Sequence, residues 1–252
     1  MRTVYPDWRA PAPDWRAPAT VGALATSRAG GVSRGAYSSL NVAHHVGDDP
    51  ANVSANRAAV MSAAGVGKIQ WLNQVHASDV IEAGEATLDD APSADAAFTL
   101  QRDLALAIMT ADCVPVLIAD RSGTLVAAAH CGWRGAVGGV LPRLVEALPR
   151  EASELVAWLG PGICGRCYEV GDDVRDAARN QGDADGHFRA GTRPGKWYFD
   201  LPGYVRAGLV DLGIGNVSGG DRCTLHDAAF FSHRRDGPTG RMVSMVWLKS
   251  RV

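Results

Sequence analysis

The stretch Leu104–Gly135, LALAIMTADCVPVLIADRSGTLVAAAHCGWRG, constrains this chain more than any other. Two apolar runs of strand length each end in unusual polar chemistry. Leu104–Met109 stops at Thr110-Ala111-Asp112-Cys113, and Thr124–Ala129 stops at His130-Cys131-Gly132-Trp133-Arg134-Gly135. Runs of this kind suit buried strands. One strand delivering a thiol and another delivering an imidazole can place both groups at one rim of a sheet, where ligand sites favour binding. Thiolate and imidazole are also the preferred donors for a borderline-soft ion such as zinc.

The rest of the chain supplies the elements around this centre. Val53, Arg57, Val60 and Met61 fall at helical spacing after Asp49-Pro50, a natural N-cap and first helical residue, and Gly65 is a natural stop. Arg57 shares that apolar face and needs an anionic partner if buried. Strands are expected near Gly22–Ser27, Ile69–Val75, Val80–Ile81, Glu154–Leu159 and Arg241–Leu248, with helices over Gly135–Leu148, Gly171–Asn180 and from Asp200 to about Leu212. The polar, Gly-rich segment His187–Lys196 reads as a mobile loop. Several strand pairs have no helix between them, which argues for an α+β fold: a single layered domain with mixed β-sheets flanked by helices. Residues 6–19 repeat PDWRAPA in tandem without a core period, so residues 1–20 read as a flexible Pro/Ala-rich arm ahead of one catalytic domain, 21–252.

Composition excludes whole classes. A formal net charge of −2 offers no nucleic-acid surface. No apolar run reaches the ~18 residues a membrane helix needs, and the N-terminus lacks a signal-peptide pattern. Five cysteines, an odd number, speak against a disulfide scaffold and for a reducing cytoplasm. Cys164-Gly165-Arg166-Cys167 has the spacing of half a zinc finger or of a redox pair. Cys223 and His226 are the only nearby partners for the former, and two partly buried structural cysteines are the expected reading. Asn73-Gln74-Val75-His76 puts polar groups among apolar neighbours, a local inconsistency of the kind that marks functional sites. Local chemistry therefore pairs Cys113 with His130 and adds His76 as a third donor. Three ligands with an open position suit a catalytic ion.

Taken together, Ser27–Ser33 (SRAGGVS), Asn41–Pro50 (NVAHHVGDDP), Asn56-Arg57, Asn73–His76 (NQVH), Ala94–Thr99 (ADAAFT), Thr110–Pro115 (TADCVP), His130–Gly135 (HCGWRG), Gly160–Val170 (GPGICGRCYEV), Cys223-Thr224 and Phe231–Gly237 (FSHRRDG) with Gly240-Arg241 resemble the multifunctional purine nucleoside phosphorylase family. That family was formerly called polyphenol oxidase or laccase-domain, and its members are also called peptidoglycan editing factors. The resemblance implies a zinc site at His76, Cys113 and His130. It implies phosphorolysis of adenosine, inosine, guanosine or methylthioadenosine, with adenosine deamination as a second activity. Position 131 is Cys where a small residue such as Ala is expected, a thiol open to oxidation but no obstacle to the site.

For such a reaction phosphate calls for arginine, and Arg57, Arg134, Arg234 and Arg28 are the candidates. Asp112 is a candidate general acid or base, or else a capping residue. Asn41 and His45 suit a pocket wall that orients ribose or base. The competing readings are a copper phenol oxidase, a cell-wall editing factor without chemistry of its own, and a cysteine hydrolase using Cys113 with His130 as base. Copper oxidases need many paired histidines, and this chain has seven histidines with one adjacent pair, His44-His45.

Overall fold

The computed structural model describes residues 15–88, 91–182 and 184–250. In chain order the strands are β1 (Val21–Ala25), β2 (Lys68–Gln70), β3 (Val80–Glu82), β4 (Ala96–Thr99), β5 (Leu104–Thr110), β6 (Val114–Asp120), β7 (Val126–Cys131), β8 (Leu155–Leu159), β9 (Glu169–Gly171), β10 (Phe188–Ala190), β11 (Lys196–Phe199), β12 (Val217–Gly219) and β13 (Met242–Leu248). The helices are α1 (Pro50–Ala64), α2 (Trp133–Val137), α3 (Val140–Ala147), α4 (Asp172–Arg179), α5 (Leu201–Asp211) and α6 (His233–Asp236).

Two mixed sheets form the centre. One has the order β1-β13-β5-β2, the other β12-β8-β6-β7-β4-β3, and β10-β11-β9 makes a small antiparallel third. Alternation along the strands decides how they stack. Leu104, Leu106 and Ile108 of β5 meet Leu117 and Ala119 of β6 and Val126 and Ala128 of β7 between the two large sheets. The opposite faces carry Val114, Val116 and Ile118 against Leu141, Leu144, Val205 and Leu209 of the helices. On the far side Ala105, Ala107 and Met109 pack with Val60 of α1. The domain is thus four layers, helices on a sheet on a sheet on a helix. Both sheets are covered on both faces, so their central strands read as continuous apolar runs.

Local signals account for α1. Asp49 caps it by accepting from the Ala51 N–H at 2.9 Å, Pro50 opens it, and Gly65 closes it at φ 64°, donating to Met61 and Ser62 carbonyls. Elsewhere long-range structure prevails. The helix expected over Gly135–Leu148 starts earlier, at Trp133, and breaks at Gly138-Gly139, where Gly139 takes φ 87°. Pro142 then falls in the first turn of α3, where a missing N–H costs nothing. Residues 187–196 are no simple loop: β10 and β11 pair there, burying Phe188 against Phe199 with the rings stacked at 4.4 Å. Of the expected arm, residues 1–14 lie outside the described residues. From Trp15 on, the chain is tied to the core: the Trp15 ring is 6% exposed and sits edge-on to Trp158 at 6.5 Å. No helix among the described residues is long and apolar enough to cross a membrane.

Candidate metal centre and substrate pocket

β5 belongs to one large sheet and β6 to the other, so the three residues between them, Ala111-Asp112-Cys113, step across the seam between the sheets. The segment from β2 to β3, which carries His76, makes the same crossing. His130 lies inside β7, opposite Pro115 of β6, rather than beyond the strand's end. The thiol and the imidazole therefore meet at a rim shared by two sheets. His76, Cys113 and His130 place one donor atom each within 4.8 Å of one another. The His76 and His130 rings stand edge to face at 4.7 Å, and Cys113 Sγ lies 3.9 Å from His76 Nε2.

Asp95, inside the ADAAFT motif but absent from the candidate site residues, organises this trio. Its side chain is fully buried and spends both oxygens on the two histidines and their surroundings. Oδ1 accepts from His130 Nδ1 at 2.8 Å and from the His76 backbone N–H at 3.0 Å. Oδ2 accepts from the N–H groups of Val75 at 3.1 Å and Ala77 at 2.8 Å. Three successive N–H groups on one carboxylate hold His76 at φ 60°, a conformation uncommon for a non-glycine residue. Because a carboxylate only accepts, His130 Nδ1 carries the proton and its Nε2 is left as the donor to an ion, the carboxylate–histidine arrangement common behind metal ligands. An Asp at the head of an apolar strand was the available signal.

Electrostatics follow from this packing. Burial alone raises the Cys113 thiol, but the His130 and His76 rings more than offset it and bring it down to about 6. Burial opposes a charged His130, yet the Cys113 thiolate and Asp95 pull its pKa up. Cys131 behaves oppositely. Fully buried on the helix-facing side of β7, its thiol is pushed far up by burial, first of all, and then by Cys113. An oxidation-prone neighbour was expected there; a shielded, protonated thiol is an inert one.

Three soft donors with one side open fit a zinc-class ion, and the same set also suits copper. The space above them is kept by Gly132, where a Cβ would lie 2.8 Å from His76 Cδ2 and 3.0 Å from Cys113 Sγ. The open side leads into a cavity of about 130 Å³ lined by His45, Gln74, Met109, Thr110, His233 and Arg241, among others. Gln74 is fixed there by pairing with the backbone of Met109 in both directions, each bond 2.8 Å long.

The candidate substrate residues divide. His45 lines the cavity; burial, then Arg241 and Arg57, lower its pKa. Arg57 stands behind that wall, its guanidinium 3.8 Å over the Trp71 ring and its Nε donating to the Val42 carbonyl at 2.7 Å. No ion pair joins it to a carboxylate among the described residues, and burial lowers its pKa to about 10. Asn41 is no wall residue: it is fully buried, Oδ1 accepts from Ala43 and Arg241 N–H, and Nδ2 donates to Asp48. Its effect on the cavity is indirect, through the backbone of Arg241. Arg28 is occupied by the Ser38 carbonyl at 2.8 Å and by Asp236 at 3.8 Å. Arg134 is exposed over Trp133, and Arg234 donates to the Glu169 carbonyl while lying 4.9 Å over Tyr168. Arg241 and His233, absent from the candidate set although they sit in the last sequence motif, do line the cavity. Asp112 takes φ 96° and has both oxygens engaged, by the Thr224 hydroxyl at 2.6 Å and the Arg234 N–H at 2.7 Å.

A layered α+β domain with a His-Cys-His rim at a sheet seam places the chain in a definite class. It belongs to the family described as multi-copper polyphenol oxidoreductase laccases, whose pattern matches residues 22–249. A Pseudomonas aeruginosa protein named purine nucleoside phosphorylase is 44% identical over 246 residues, 97% of each chain. The purine nucleoside phosphorylase YfiH of Escherichia coli K12 is 41% identical over 250 residues, 98% of this chain and 99% of that one. A crystal structure of a Neisseria meningitidis protein superposes with a TM-score of 0.90 at 46% identity, covering 94% of this chain and 98% of that one.

Proposed function

We propose that this protein is a cytoplasmic purine nucleoside phosphorylase that works with a zinc ion held by His76, Cys113 and His130. The observation that carries the reading is the trio itself, opening into a cavity with Arg241 and His45 on its wall and Arg57 behind it. Near-full-length likeness to proteins named purine nucleoside phosphorylase supports it. When bound, the ion supplies Lewis-acid polarisation of a phosphate or sugar oxygen.

The chain's own side chains do the rest. Arg57 and Arg241 are cations without a carboxylate in an ion pair among the described residues, which favours an anionic co-substrate such as phosphate. His45, with a lowered pKa, stays neutral beside them at pH 7 and can accept from a ribose hydroxyl. His233 Nδ1 donates to the Gly237 carbonyl at 2.8 Å, leaving Nε2 as an acceptor for a second hydroxyl. Asp112, with both oxygens satisfied, is a positioning residue that holds the turn bearing Cys113, the capping alternative of its two sequence readings. Adenosine is the proposed first substrate, with inosine, guanosine and methylthioadenosine as relatives of it.

The test incubates wild-type protein and Cys113→Ala with adenosine, with and without phosphate, and separates the products. Adenine and ribose 1-phosphate, dependent on both phosphate and Cys113, are expected. Inosine and ammonia without phosphate would make hydrolytic deamination the main reaction. Copper in the purified protein together with turnover of phenols would return the family's older description. Activity that survives removal of metal while Cys113 is covalently labelled would favour a cysteine hydrolase.

A further inference from the structure

The CxxC segment has no part in the chemistry above, yet the fold completes it. Cys164, Cys167, Cys223 and His226 each place a donor atom within 4.8 Å of the other three. Cys164 and Cys167 sit on a tight turn closed by Cys167 and Tyr168 N–H bonds to the Cys164 carbonyl, at 2.9 and 3.1 Å. Cys223 and His226 sit on a second turn with the same spacing, closed by the Asp227 N–H on the Cys223 carbonyl at 3.0 Å. A parallel bridge between Gly162 and Cys223 locks the two turns side by side. From 59 residues away, Cys223 Sγ accepts the Cys164 N–H at 3.4 Å. The sulfurs of Cys164 and Cys167 are 3.5 Å apart, and Cys167 Sγ is 3.0 Å from His226 Nε2.

We propose that these four residues form a second metal site, structural and tetrahedral, for a zinc-class ion. Bonds of about 2.3 Å to sulfur in a tetrahedron set donor–donor edges of about 3.8 Å; the Cys164–Cys167 sulfurs at 3.5 Å are near that, and all four donors lie within 4.8 Å of one another. A disulfide needs sulfurs at about 2.05 Å, and all five cysteines are free thiols. Three thiols converging with an imidazole, two residues per turn, is the arrangement of a closed structural site with no position left for substrate. Sequence spacing named Cys223 and His226 as the nearby partners but favoured two merely buried cysteines; the fold brings all four donors together.

This site braces the first one without sharing a residue with it. Thr224, next to Cys223, donates to Asp112 Oδ1, and Ile163, next to Cys164, donates its N–H to the Asp112 carbonyl at 2.8 Å. An ion clasping the two turns thereby holds both sides of the turn that carries Cys113.

The experiment measures metal content by mass spectrometry on protein purified under reducing conditions with zinc in the medium, comparing wild type, Cys113→Ala, Cys167→Ser and the double variant. Cys113→Ala isolates the second site whatever the first one binds, so failure of the phosphorylase reading does not touch this result. One zinc per chain is expected in Cys113→Ala and none in the double variant. His226→Ala in the Cys113→Ala background should shed the ion to a chelator at least tenfold faster, whereas His226→Cys, which keeps four donors, should retain it and guard against misfolding as an explanation. Cobalt put in place of zinc in Cys113→Ala should show intense thiolate charge-transfer bands. Cys113→Ala protein free of metal, or an intact mass lower by two hydrogens under non-reducing conditions, would overturn the proposal.

Discussion

At the scale of single residues, Asp95 and Gly132 govern the donor trio without being donors. Asp95 fixes the ring of His130 and the backbone of His76 together, so one substitution disturbs two candidate ligands. Asp95→Asn should weaken metal binding about 10–100-fold, read by competition with a chromogenic chelator. Gly132→Ala puts a methyl group against His76 and Cys113. Loss of metal and of turnover should exceed its loss of thermal stability; a fully loaded, active Gly132→Ala would show that the donors have room to move. Cys113, His130 and His76 were legible because thiol and imidazole are scarce and their chemistry is specific. Asp95 and Arg241 were not, since Asp and Arg are common surface residues and only burial and direction distinguish these two.

Among the elements, the hairpin from β6 to β7 depends on a buried carboxylate. Asp120 is 1% exposed and accepts from the hydroxyls of Ser122 and Thr124, the N–H groups of Thr124 and Leu125, and Arg150. Burial alone would raise its pKa, but these bonds bring it down to about 2 from an ordinary 3.8. A carboxyl depressed in the folded state adds stability above its unfolded pKa. That contribution, about 2 kcal/mol, is complete above pH ~4 and disappears as pH falls through about 2. Asp120→Asn should therefore flatten the acid limb of the stability curve, measured by urea unfolding from pH 2 to 7. Asp49→Ala should cost about 1 kcal/mol through the α1 cap. Such caps were legible because they are local: Asp, Pro and Gly act within one turn. Strand β6 was not, since Pro115 near its start argues against a central strand. The β10–β11 hairpin hid for a similar reason, its Gly-rich turn outweighing the aromatic residues that pack it.

On the scale of the whole molecule, stability rests on the interface between the two large sheets, where the small side chains of Ala97, Ala119 and Ala128 bring the layers close. Leu117→Ala, in the middle of that interface, should cost roughly 2–5 kcal/mol. For a chain of this size each kcal/mol lowers Tm by about 2–4 °C, so calorimetry is a direct check. The layered α+β class was legible from strands following one another without helices. Which strand joins which sheet was not, because β5 and β7 look alike in sequence and pairing between distant segments decides. Four of the chain's links therefore matter less as connections than as crossings. His76 and Cys113 ride on segments that pass from one sheet to the other, and His130 is anchored in the second sheet alone. An ion gripping all three acts as a rivet through two plates. Its occupancy and the sliding of the sheets are then one equilibrium: stripping it should lower the melting temperature of the entire domain, and any stress that shears the sheets apart should eject it.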